Sequence, residues 1–120
     1  MLSDPNRPLY EVKAGLFKGL AHPIRIRILE VLSSSPEVSV SELLEVVGLE
    51  ASHVSQHLAV LRRNRLVASE RRGSLVYYRL AYPEVADLLR VARTLLGEIL
   101  ETTAQQLVAN EGLPAIPARA

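Results

Sequence analysis

The chain has 120 residues, no cysteine and no tryptophan, and a formal net charge of +1. This length fits one domain, and the missing cysteine excludes disulfides, thiolate metal sites and a cysteine nucleophile. No apolar run approaches the roughly 20 residues that a membrane span needs. The first ten residues lack the basic-then-apolar pattern of a signal peptide. We therefore expect a cytoplasmic protein with an aliphatic core and no membrane partner.

Positive charge is concentrated in residues 62–79, which contain six arginines and a single acidic residue, Glu70. The rest of the chain is mildly acidic, so the charge is unevenly distributed. A basic segment on an acidic body is typical of a protein face that binds phosphate. A solvated arginine-rich surface without a partner is the alternative interpretation.

The N-terminal part predicts an arm followed by two helices. Residues 1–9 are expected to form a disordered arm, and residues 10–20 carry apolar side chains at near-helical spacing. Residues 21–33 alternate isoleucine with arginine as a strand does. However, Pro23 suits the first turn of a helix, and the apolar stripe continues with a helical period. A helix is therefore favoured.

The next segment predicts two helices joined by a tight turn. Ser39 and Glu42 fit a capping box at the start of a helix. Gly48 follows that helix at the position where a left-handed residue is usual, and a second helix begins about three residues later. This arrangement is typical of a helix-turn-helix, whose second member is the recognition helix.

The predicted recognition helix has two different faces. Val54, Leu58 and Leu61 share one apolar stripe. The opposite face carries short or flat polar side chains that can enter a DNA major groove and hydrogen-bond to base edges. The predicted base contacts are Ser52, His53, Ser55 and Gln56.

Residues 66–71 and 74–80 predict two strands that form a hairpin, with Gly73 in the turn. A hairpin after a helix-turn-helix is a wing, so the chain is expected to be mainly α, with about five helices and a two-stranded wing. Arginines at the end of the recognition helix and at the wing tip are expected to neutralise phosphates and give salt-dependent affinity. The predicted phosphate contacts are Arg62, Arg63, Arg71 and Arg72.

The last predicted helix, from Pro83 to about residue 107, has more apolar surface than a small winged helix needs. We expect it to form a homodimer together with the first helix; packing wholly within one domain is the alternative. The folded domain is predicted to span residues 10–108, followed by a flexible tail at 109–120. The predicted interface residues are Leu16, Leu88, Ala92, Leu95, Leu96 and Ile99.

Three stretches, in this order, resemble the ArsR/SmtB family of bacterial winged-helix repressors over roughly residues 10–100. They are LAHPIRIRIL (20–29), SHVSQHLAVLRRNRLV (52–67) and RRGSLVYYRL (71–80). The resemblance implies a homodimer that binds a double-stranded inverted-repeat operator, with the first and last helices at the dimer interface. It also implies release from DNA when a metal ion or another ligand binds.

The residues that carry metal sensing in this family are changed here. The family's Glu-Leu-Cys-Val-Cys-Asp motif corresponds to residues 37–42, where Ser39 and Ser41 replace both cysteines. A neutral hydroxyl is a poor ligand for soft ions. The family's other common site needs two histidines in the last helix, which has none here. We therefore predict no metal and no cofactor at these positions.

We interpret the three histidines as structural residues or as DNA contacts. His53 and His57 have the i, i+4 spacing of metal ligands, but a third ligand is missing. His53 is expected to contact a base or a phosphate, and His57 to be structural or to contact phosphate. His22 is interpreted as a capping or local structural residue.

The sequence thus predicts a sequence-specific DNA-binding repressor. Its release signal is open: a small-molecule effector, an unfamiliar His/carboxylate metal site, or no effector at all. A winged helix used for protein binding is a second hypothesis. An enzyme is not expected, because the chain shows no nucleophile elbow, phosphate loop or complete metal triad.

Overall fold

The computed structural model describes residues 5–109, without the side chains of Leu107 and Ala109. In this part of the chain, five helices and three strands follow one another. They are α1 (Leu9–Leu20), α2 (Pro23–Ser33), β1 (Val38–Ser39), α3 (Val40–Val47), α4 (Ala51–Arg63), β2 (Val67–Arg72), β3 (Leu75–Leu80) and α5 (Glu84–Ala109). The predicted mainly α architecture with a hairpin wing is confirmed.

The predicted domain limits are only partly covered by the structure. Residues 1–4 of the expected arm and residues 110–120 of the expected tail lie outside the described residues. Helix α1 begins at Leu9, the last residue assigned to the arm. The chain divides after Ala86 into two compact units; the first holds every element from α1 to β3, and the second holds most of α5.

The core of the first unit is aliphatic, as the composition predicts. Each of its largest fully buried side chains is a leucine, isoleucine or valine, and burying one stabilises the fold by roughly 1.5–3 kcal/mol. Helices α2, α3 and α4 supply them all: Ile28, Leu29, Leu32, Leu43, Val54 and Leu61.

Local signals at the helix ends act as the sequence predicts. Pro23 occupies the first turn of α2, and His22 caps this helix by accepting a hydrogen bond from the Ile24 amide at Nδ1, 3.1 Å away. Ser39 caps α3: its hydroxyl accepts from the Glu42 amide, and the Glu42 carboxylate accepts from the Ser39 amide, each at 3.2 Å. The helical assignment of α2 and the capping box of α3 are confirmed.

Two residues with positive φ reverse the chain direction around α4. Gly48 ends α3 with φ +74°, in the left-handed region that glycine adopts without steric cost. Arg65 follows α4 with φ +61°. The Arg65 and Leu66 amides donate to the carbonyls of Arg62 and Leu61, both at 3.0 Å, which is the Schellman pattern of helix termination. The chain reversals at Gly48 and Arg65 place α4 between the turn and the wing.

The wing belongs to an antiparallel sheet of three strands, in the order β1-β3-β2. The hairpin of β2 and β3 turns at Gly73, whose φ is +63°. Beside it, Val38 and Ser39 pair with Tyr78 and Tyr77 of β3. The wing itself has the two predicted strands, and only β1 was not predicted, because two residues are too few to show a strand pattern in sequence.

Helix α5 carries a run of large aliphatic side chains that remain exposed. Val91, Leu95, Leu96, Ile99 and Leu100 are each 51–60% exposed. Within residues 5–109, no helix combines the length and the apolar character that crossing a membrane requires.

Candidate nucleic-acid interface

Helix α4 separates its apolar and polar side chains as predicted. Val54, Leu58 and Leu61 are at most 2% exposed and hold one face of the helix against the core. The four side chains predicted to contact bases lie on the other face, and all are exposed: Ser52, His53, Ser55 and Gln56. The helix therefore presents a small polar surface on a rigid, buried support.

The C-terminal turn of α4 is basic and is joined to the wing. Arg62 and Arg63 are both exposed in this last turn. The Arg62 Nη1 atom donates a hydrogen bond to the Ser69 hydroxyl of β2, 3.4 Å away. The end of the recognition helix thus contacts the first strand of the wing.

The two arginines at the wing tip point to opposite faces of the hairpin, because successive residues of a strand alternate. Arg71 shares a face with Val67, which is buried, and Ser69, which Arg62 contacts. Arg71 is exposed, and no ion pair or hydrogen bond of its side chain occurs within the described residues. It is therefore free to meet a phosphate.

Arg72 contacts three side chains of the protein. Its Nε donates to the Glu70 carboxylate at 2.7 Å, its Nη2 pairs with the Glu37 carboxylate, and its guanidinium carbon lies 4.3 Å from the centre of the Tyr77 ring. The hydrogen bond from Arg72 holds the pKa of Glu37 below its usual range, and the charge of Arg79 adds to the effect. The same contacts raise the pKa of Arg72, led by the bond to Glu37.

A second cluster lies behind α4, where His57 is half-buried. Arg25 donates from Nε to His57 Nδ1 at 3.3 Å and from Nη1 to the Gly19 carbonyl at 3.1 Å. The rings of His22 and His57 lie 4.2 Å apart. Partial burial, followed by the charges of His22, Arg25 and His53, lowers the pKa of His57. His57 therefore supports the helix in its neutral form.

The structure gives the histidines no metal partners within residues 5–109, where no group of three or more His, Cys, Asp or Glu side chains could hold an ion. The hydroxyl of Ser39, at the family's sensor position, is 2.9 Å from the Glu42 carboxylate and belongs to the capping box. Ser41, at the other sensor position, is exposed.

A cleft of about 400 Å³ lies between the start of α3, the recognition helix and the wing. Serines from all three elements line it: Ser41 of α3, Ser55 of α4 and Ser74 of the wing turn. Sequence reasoning missed Ser41 and Ser74 as surface polar groups of this site. Serine at a turn and at a helix start is common, so no signal in the sequence marks them.

Three comparisons agree with this geometry. A family model described as a helix-turn-helix domain matches residues 20–70. Rv0081 of Mycobacterium tuberculosis strain H37Rv, named an uncharacterized HTH-type transcriptional regulator, is 52% identical over 96 residues, which are 79% of this chain and 83% of the relative. The transcriptional repressor PagR of Bacillus anthracis is 31% identical over 81 residues, covering 68% of this chain and 81% of the relative.

The solved structures show the same fold. The crystal structure of Mycobacterium tuberculosis Rv0081 matches with a TM-score of 0.75 and 50% identity, and the match covers 82% of this chain and 99% of that one. The order of elements, the two-faced α4 and the wing all agree with this relationship. The chain therefore belongs to the ArsR/SmtB family of winged helix-turn-helix transcriptional regulators.

Proposed function

We propose that the protein is a repressor that binds an inverted-repeat operator as a homodimer and occludes a promoter. The observation that carries this proposal is the pairing of an exposed polar face on α4 with exposed arginines at the end of that helix and on the wing. The first group can contact base edges and the second phosphates. The name of the relative PagR, a transcriptional repressor, supports the direction of regulation.

The two kinds of contact are assigned to different residues. Side chains on the exposed face of α4 are proposed to contact bases, and Gln56 has the geometry to pair bidentately with adenine. The proposed phosphate contacts are Arg62, Arg63 and Arg71, which form no ion pair with a carboxylate within residues 5–109. Arg72 is already paired with two carboxylates, and we do not count it among them. The proposed base contacts are Ser52, His53, Ser55 and Gln56.

The proposed dimer interface lies on α5. Large aliphatic side chains that are more than half exposed on one helix favour burial against another protein surface. A second copy of the same helix fits, because two-fold symmetry places equivalent residues opposite each other. Dimerisation would set two recognition helices about 34 Å apart, one turn of DNA. The proposed interface comprises Leu88, Ala92, Leu95, Leu96 and Ile99, and Leu16 of α1 remains a prediction.

The signal for release is not assigned to a metal at the family's sensor position. The Ser39 hydroxyl is neutral and is held by Glu42, so it is a poor ligand for a soft ion. We propose an organic effector as the first class to screen, with metal ions as the comparison. No catalytic role is proposed, since the compared relatives carry names of transcriptional regulators.

The DNA-binding proposal is tested by selecting duplexes from a random-sequence pool with the full-length protein. We expect an enriched inverted repeat. Gln56→Ala should change which bases are enriched, while Arg63→Ala should keep the same sequence and flatten the plot of log affinity against log salt. Each lost phosphate contact changes that slope by about 0.9.

Two outcomes of this selection would be evidence against DNA binding. A pool that remains random after selection, or binding by both variants that matches the parent in sequence preference and salt slope, would contradict the proposal. The winged helix would then be examined for a protein partner, because its net charge of +1 permits one.

A further inference from the structure

We infer that Arg72 is a positioning residue that holds the wing in the orientation required for DNA binding, and that Arg71 is the wing arginine that contacts phosphate. This inference rests on the proposed DNA-binding function. Sequence alone treats these two adjacent arginines as equivalent, whereas here each of them has a different role.

The first step is the register of the sheet. Ser39, Tyr77 and Glu70 lie in one row across the three strands. Because side chains alternate along a strand, Arg72 and Glu37 lie on the same face as this row. The contacts agree, since Arg72 touches Glu70, Tyr77 and Glu37. Its side chain therefore starts on β2, passes over β3 and ends at the residue before β1.

The second step is the chemistry of the contact. A guanidinium is planar and has five donors, so it can bond two carboxylates while it stacks on an aromatic ring. Arg72 does all three, although its side chain is still 45% exposed. A single exposed ion pair contributes little, but this network joins residues 35 positions apart in the chain. It ties the free end of the hairpin to the segment that caps α3.

The third step is the contrast with Arg71. Its side chain lies on the hairpin face that carries Ser69, which Arg62 of the recognition helix contacts. A phosphate contact by Arg72 would require its guanidinium to leave two carboxylates, whereas Arg71 has no partner among residues 5–109 to leave. Because side chains alternate along β2, Arg71 is placed to contact phosphate and Arg72 to position the wing.

The test compares matched substitutions in the full-length protein, with a duplex that the parent selected from a random pool as the probe. We expect Arg71→Gln to flatten the salt slope by about 0.9 for each protomer, and Arg71→Lys to restore it, because any cation can meet a phosphate. Arg72→Gln should lower affinity for the selected duplex several-fold and leave the salt slope unchanged. Arg72→Lys should not restore affinity, because lysine cannot replace the planar, three-way contact.

The variant Glu37→Gln shows whether the Arg72–Glu37 pair positions the wing or only prevents Arg72 from contacting phosphate. If Glu37 only masked a phosphate-contacting Arg72, its removal would tighten binding and steepen the salt slope. If the network positions the wing, the same variant weakens binding to the selected duplex, even though the protein becomes more positive. Tighter binding by Glu37→Gln, or Arg72→Lys binding like the parent, would overturn the inference.

A measurement without DNA keeps this inference separate from the proposed function. Amide hydrogen exchange of the free protein should be faster along β2 and β3 in Arg72→Gln and unchanged in Arg71→Gln. Circular dichroism checks that both variants retain the parent's helix content. Unchanged exchange in Arg72→Gln would contradict the positioning role, whatever the selection shows. A parent that selects no sequence while Arg72→Gln loosens the wing would instead contradict the proposed function.

Discussion

His57 shows how a single side chain in a recognition helix can serve the fold. Its Nδ1 accepts the Arg25 hydrogen bond, so protonation at that atom would abolish the contact. The positive charges that surround it are those of Arg25, His22 and His53 when protonated. Half-burial and these neighbours both disfavour the imidazolium. The contact with Arg25, 32 positions away in the chain, gives His57 a structural role.

This environment predicts a pH dependence of stability. Because the folded-state pKa of His57 is lowered, the unfolded chain binds its proton at a higher pH than the folded protein does. Stability is therefore fully present above the unfolded-state pKa, ordinarily about 6.5, and falls as acidification passes below it. We expect the midpoint of thermal unfolding to decrease as the pH is lowered through this range.

His57→Gln should show a shallower decrease, because glutamine can accept from Arg25 but does not titrate. His53→Gln, at an exposed position of the same helix, is the matched control and should follow the parent. Identical pH profiles for the parent and His57→Gln would contradict the prediction.

Residue roles were predictable from sequence only where the partner is local. His22 as a cap, Ser39 with Glu42, and Gly48 at a helix end each depend on residues within three or four positions. The contacts of Arg72 with Glu37 and of Arg25 with His57 join residues 35 and 32 positions apart. The fold alone brings such residues together, so no spacing rule in the sequence could have shown them.

At the scale of the element, the helices were predictable because apolar periodicity persists over many residues, as in α4 and α5. Strand β1 has two residues, and its conformation depends on the ladder it forms with β3. The existence of the hairpin was also predictable, since Gly73 marks its turn. The sequence ended the first strand at residue 71, whereas β2 continues to Arg72, so the opposite orientation of Arg71 and Arg72 became visible only in the structure.

The start of α3 offers an element-scale prediction. Ser39→Ala removes the hydroxyl that accepts from the Glu42 amide, and loss of such a cap costs about 1 kcal/mol. We expect the urea midpoint to fall by a corresponding amount with an unchanged slope. Ser41→Ala is the matched control at an exposed position two residues later and should change stability by less than about 0.5 kcal/mol. Equal effects of the two substitutions would argue against a capping role.

At the scale of the whole molecule, the proposed dimer depends on a surface that the single chain leaves exposed. The apolar periodicity of the last helix was evident in sequence. The proposed cover for this surface is a second copy of the same helix. The dimer thus remains a prediction, and it can be tested directly.

Ile99→Glu places a charge among exposed aliphatic residues of α5. In a dimer formed through this face, we expect the dissociation constant to rise about a hundredfold or more, because two carboxylates would be buried for each interface. Sedimentation equilibrium measures this change, and binding to the selected duplex should weaken in parallel. Thr94→Glu, on the far side of the helix by its spacing, is the control. A sedimentation profile of Ile99→Glu that matches the parent would exclude this face.

Residues 37–39 carry three separate connections in three consecutive positions. Glu37 holds the wing through Arg72, Val38 pairs with Tyr78 of the sheet, and Ser39 caps the first helix of the helix-turn-helix. This short segment therefore connects the wing directly to α3, the helix before the recognition helix. We therefore expect a chemical change at any of these three positions to affect both the wing and the first helix of the helix-turn-helix through direct contacts.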